Sequence, residues 1–120
     1  MTDTRLAATR AIEALIASNR GLRAQLQFQE RLLNSALVRI ADGDSLARTM
    51  GSVPSREERR QSEEAIREFY SRRSDVRDAV VEAALAEGLT IAEIASAFGI
   101  HHEQIVSHVS KRVARVDPRP

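Results

Sequence analysis

The sequence predicts an all-α protein, with a long N-terminal helix of coiled-coil character followed by a set of shorter helices. Three observations predict it. The 120 residues include only three prolines and five glycines, and the rest is rich in Ala, Leu, Glu and Arg, which favour helix. The first forty residues repeat apolar positions every seven. Farther along, two Ser/Thr-x-x-Glu boxes, "SREE" at Ser55 and "TIAE" at Thr90, mark helix starts.

In the first segment one heptad row reads Ile12, Asn19, Leu26, Leu33 and Ile40, and the other Ala8, Leu15, Leu22, Gln29 and Ala36. Eight of these ten are apolar and two are amides. A seam of this kind needs a partner, and a second copy of the chain is the natural one. Ile12, Leu15, Asn19, Leu22, Leu26, Leu33 and Ile40 are therefore the expected dimerisation residues. Asn19 sits where a buried amide can pair with its symmetry mate and fix the register of a parallel coil. Ile16, Leu32 and Leu37 widen the apolar stripe, which also suits a bundle or packing against the rest of the chain.

Gly43, Gly51 and Pro54 punctuate "ADGDSLARTMGSVPS", within which Leu46 and Met50 can share one helical turn. The chain thus divides into a dimerisation helix over residues 1–42, a linker over 43–54 and a helical domain over 55–120. Within that domain Ser55 and Glu58 cap a helix reaching about Arg72, and Ser74 is placed to cap a second one, with a stripe of Val76, Val80, Ala83 and Ala84. Gly88 ends it in the left-handed conformation. Thr90 and Glu93 then cap a short helix broken by Gly99, and a last one runs from about His102 to Ala114.

Composition excludes several functions. There is no cysteine, so neither disulfides nor thiolate chemistry is available, and a cytoplasmic setting is expected. No apolar run reaches the ~18 residues of a membrane span. Aromatics make up 3% of the chain, too few for a base-stacking platform. No phosphate loop or nucleophile–base–acid set is present, so the chain is not expected to be an enzyme or to need a cofactor. His101, His102, Glu103 and His108 offer no i, i+4 ligand pair, so no metal site is expected either.

Net charge is +1, but it is unevenly placed: residues 74–100 carry one Arg against five acids, while residues 101–120 carry Lys111, Arg112, Arg115 and Arg119 against two acids. Ala95 lies where two helices cross closely, Gly99 occupies the turn between them, and Ile94, Phe98, Ile100, Ile105 and Val109 are spaced to share a small core. With these features, residues 74–113 resemble the tri-helical helix-turn-helix domains of site-specific recombinases, sigma-factor C-terminal regions and bacterial regulators. The resemblance implies that the second helix of the motif enters the major groove of duplex DNA.

On that helix Glu103, Gln104, Ser107, Ser110 and Lys111 face outward. Gln pairs with adenine, Lys suits guanine or phosphate, and Glu103 suits only the cytosine amino group. His101 and His102 at the helix start, and backbone amides near Thr90, are candidate phosphate contacts. Arg112, Arg115 and Arg119, or Arg72 and Arg73, would supply backbone contacts. The expectation is a homodimeric reader of double-stranded DNA, a small bacterial-type transcriptional regulator. Two alternatives stay open: a protein-interaction adaptor docking on the transcription machinery, and a nucleoid- or partition-type DNA binder.

Overall fold

The computed structural model describes residues 2–51, 53, 55–101 and 103–107. It contains α1 (Asp3–Ala41), α2 (Leu46–Met50), α3 (Arg56–Ala86) and α4 (Ile91–Phe98), and residues 103–107 are also helical. About 85% of the described residues are helical and none lies in a strand, so the protein is all-α with a long N-terminal helix. Two compact units are present. One spans Ala14–Arg72, and the other joins residues up to Glu13 to those from Arg73 onward.

In the Ala14–Arg72 unit, α1 and α3 run antiparallel, and the seam between them is built from small and amide side chains. Gln25 Nε2 donates to Ser62 Oγ at 3.3 Å, Gln29 Nε2 donates to the same oxygen, and Ser62 Oγ donates to the Glu58 carbonyl at 3.0 Å. Lower down, Ala14, Ala17, Ser18, Gly21 and Leu22 face Ala65, Glu68 and Arg72. The heptad row containing Leu15, Leu22, Gln29 and Ala36 therefore finds cover within the chain, where a second copy was the expected partner. The physical reason is that Ser62 and Ala65 are small enough to let α3 approach. Leu15 and Leu22 are half-buried and Ala36 is buried, whereas Ile12, Asn19, Leu26, Leu33 and Ile40 of the other row are exposed.

Local signals set most helix ends. Ser55 and Glu58 form the reciprocal capping box, the Ser55 N–H donating to Glu58 Oε2 at 2.8 Å and the Glu58 N–H to Ser55 Oγ at 3.2 Å. Ser45 caps α2, its Oγ accepting from the Arg48 N–H at 3.2 Å. Residue 74 is different. α3 continues straight through Ser74, so the expected second start is absent. Its half-buried positions, Ala65, Phe69, Val76 and Val80, recur at helical spacing across Ser74, and continuous burial outweighs a capping preference worth about 1 kcal/mol.

Candidate functional site

The second unit assembles three helical segments around a small core. The end of α3 supplies Val81, α4 supplies Ile94 and Ala95, and the segment 103–107 supplies Ile105, all at 4% exposure or less; Ala84, Ile91 and Ile100 pack against them. Two turns of one design orient the segments. After α3 the Gly88 N–H donates to the Leu85 carbonyl at 3.1 Å and the Leu89 N–H to the Ala84 carbonyl at 3.0 Å. After α4 the Gly99 N–H donates to Ser96 at 3.1 Å and the Ile100 N–H to Ala95 at 3.0 Å. These paired bonds are the Schellman arrangement, and they require left-handed glycines: φ is +92° at Gly88 and +68° at Gly99.

Two core expectations change. Phe98 is 42% exposed rather than buried, because the Schellman turn carries Ile100 back toward the cluster while Phe98, the last residue of α4, stays outside it. Val81, left out of the expected α3 stripe, is 1% exposed. The end of α3 has neighbours on two sides: Val81 meets α4 and Ile105, while Val80, Ala83 and Ala84 line a shallow hollow with Ala8 and Ile12 of α1. One apolar stripe could not describe both.

Among the named site residues Thr90, His101, Glu103, Gln104, Ser107, Arg72 and Arg73 are exposed. His102, His108, Val109, Ser110, Lys111, Arg112, Arg115 and Arg119 lie outside the described residues. Gln104 and Ser107, three apart, share a face of the last segment, with Ile105 turned into the core. Several of these groups are already engaged. Gln104 Oε1 accepts from the His101 N–H at 3.3 Å, so pairing both amide atoms with a base requires releasing the helix start. At Thr90 the N–H and Oγ1 donate to Glu93 Oε1 at 3.3 and 3.0 Å, and the Glu93 N–H donates to Thr90 Oγ1 at 3.1 Å. A carboxylate therefore sits at the start of α4. Arg72 pairs with Glu68 at 3.9 Å, within the Ala14–Arg72 unit.

Within this unit a long-range polar contact has no counterpart in the sequence pattern. Arg5 Nη2 and Nε reach Glu87 Oε1 and Oε2 at 2.6 and 2.8 Å, a bidentate pair spanning 82 residues. Hydrogen bonding from Arg5 holds the Glu87 carboxyl below its usual range, and the same bond raises the Arg5 guanidinium. Among the described residues no three His, Cys, Asp or Glu side chains cluster as a metal site, and no helix is long and apolar enough to cross a membrane. No family model, curated protein or solved structure matches the chain.

Proposed function

We propose that this chain is a homodimeric, sequence-specific binder of duplex DNA that acts as a small transcriptional regulator of bacterial type. The observation carrying the reading is the unit from Arg73 onward. Its three helical segments turn at Gly88 and Gly99 around Val81, Ile94, Ala95 and Ile105, and Gln104 and Ser107 stand exposed on the last segment. A helix so held at its base, with short polar side chains outward, suits insertion into a major groove. The dimer, formed through α1, presents two such units to two half-sites. A role in nucleoid organisation or partition uses the same surface.

One observation favours a second reading, a protein-docking adaptor. Residues 73–107 carry Arg73 and Arg77 against Asp75, Asp78, Glu82, Glu87, Glu93 and Glu103, a poor surface for phosphate. Cations for DNA must then come from Lys111, Arg112, Arg115 and Arg119. A salt titration of duplex binding by fluorescence anisotropy decides between the two. A DNA binder loses affinity steeply with salt, and Lys111→Ala lowers the log–log slope by about 1. No binding to a pool of duplexes at low salt removes the DNA reading and leaves the adaptor.

A further inference from the structure

The Ala14–Arg72 unit keeps most of its large apolar side chains outside. Among its described residues only Ala36, Thr49 and Ser62 are buried. Ile16, Leu26, Leu33, Leu37 and Ile40 of α1 are 44–64% exposed, and all lie on one stripe completed by Asn19, Arg23 and Glu30. At 3.6 residues per turn this outer stripe is about a quarter-turn from the inner seam of Leu15, Leu22, Gln25 and Gln29. On α3, Ile66 and Tyr70, 39% and 60% exposed, lie about a quarter-turn from the seam residues Ser62, Ala65 and Phe69, in the same rotational sense. Because the two helices are antiparallel, an equal rotation brings both outer stripes to the same side of the hairpin.

A helix with two apolar seams a quarter-turn apart is the pattern of a helix with two neighbours in a four-helix bundle. The exposed area fits a second hairpin. From their fractional exposures, these seven large side chains present roughly 700 Å², close to the ~800 Å² each partner contributes to a standard interface.

Charge then selects the occupant and its direction. Arg23 and Glu30, both exposed, form no ion pair among the described residues. Seven residues apart on one helix, they stand about 10 Å from each other and cannot meet within one chain. A parallel second α1 sets Arg23 against Arg23 and Glu30 against Glu30. An antiparallel α1, related by a two-fold axis near Leu26, sets each Arg23 opposite the partner's Glu30, twice. The same axis brings Ile16 to the partner's Leu37, and Asn19 to the partner's Asn34. The charges of the stripe are complementary only when it is reversed.

We propose that the chain dimerises as an antiparallel four-helix bundle, the outer face of α1 packing on its two-fold copy with Arg23 against the partner's Glu30. This rests on the homodimer stated above and fixes its geometry; it removes the parallel register role expected of Asn19. The test combines sedimentation with cross-linking, which the cysteine-free chain allows. A dimer is expected at micromolar concentration. Arg23→Glu and Glu30→Arg should each raise its Kd on the order of tenfold, and the double exchange should restore it. Asn19→Cys mixed with Asn34→Cys should cross-link across the dimer, while Asn19→Cys alone should not. A dimer that cross-links at Asn19→Cys alone, or that ignores both single charge reversals, overturns the antiparallel geometry and leaves the homodimer standing. A monomer throughout overturns both, and the salt titration on DNA is read independently of either.

Discussion

Two glycines in this chain predict opposite responses to the same substitution. Gly99 follows α4 at φ +68°, ψ 32°, and a Cβ built there meets nothing within 4 Å. Gly99→Ala therefore costs no packing, only the left-handed backbone, about 1–2 kcal/mol for a residue with a β-carbon. The unfolded chain loses freedom with Ala, which returns about 0.4–1 kcal/mol. The net is a destabilisation of up to about 1.6 kcal/mol. Gly21 lies inside α1, and a Cβ there also meets nothing within 4 Å. Gly21→Ala thus gains helix propensity without a clash, about 0.8–1 kcal/mol of stabilisation. The two variants should differ by roughly 2 kcal/mol, read as opposite shifts of the urea midpoint by circular dichroism at unchanged slope. Protomer concentration is held fixed, since association couples to stability. Gly99→Asn should recover part of the loss, because Asn tolerates the left-handed region. A stabilising Gly99→Ala refutes the left-handed turn, and a destabilising Gly21→Ala refutes the open space beside α1.

Three further responses follow from burial and pairing. Ile105→Ala should destabilise by about 2–5 kcal/mol because its side chain is fully buried, whereas Phe98→Ala should cost under ~1 kcal/mol; equal losses in denaturant melts would contradict the core described for the second unit. Ser62→Ala strands the two glutamine amides that converge on its hydroxyl, at a cost of about 1–3 kcal/mol, and Gln25→Leu/Gln29→Leu beside it should recover stability in the same melts. Glu87→Gln should lower Tm near neutral pH. The folded Glu87 carboxyl lies below its usual range, so its contribution is full above the ordinary carboxylate pKa of about 4.3 and disappears as pH falls through the folded value. The Tm gap between wild type and variant should close in acid; a gap of equal size at pH 7 and pH 3 refutes the pairing.

What the sequence made legible was local. Ser55 with Glu58, Thr90 with Glu93, and the glycines at 88 and 99 fix helix ends through contacts within about five residues, and each of these ends stands where its spacing placed it. Ser74 shows the limit: serine is a good cap, but a helix stops only where its apolar stripe also stops, and here the stripe runs on past it. Val81 and Phe98 required knowing which neighbours flank each helix, which a single-helix wheel does not contain. The Arg5–Glu87 pair joins charges 82 residues apart and has no sequence signal at all. The exposure of Glu103, Gln104 and Ser107 followed from the position of Ile105. Their engagement did not: that Gln104 closes its own helix start and Glu93 fills the start of α4 are matters of rotamer and capping.

The distribution of large side chains on α1 bears on why the heptads exist. A long helix needing only to cover α3 would place its leucines and isoleucines inward, since burial of one such residue contributes about 1.5–3 kcal/mol. Here the inner seam runs largely on alanines, serine and glutamines, and Leu15, Leu22 and Phe69 are only half-covered, while Ile16, Leu26, Leu33, Leu37 and Ile40 stand outside. The helices meet closely at Ser62, where the amides of Gln25 and Gln29 fix the register, and leave a hollow beside Gly21. The inner seam thus specifies the hairpin and contributes little burial. The outer seam holds the greater apolar burial and becomes stabilising only when covered. If the proposed dimer forms, a heptad repeat divided in this way predicts that association orders the hairpin, and that Arg23 and Glu30 select the direction of the second copy.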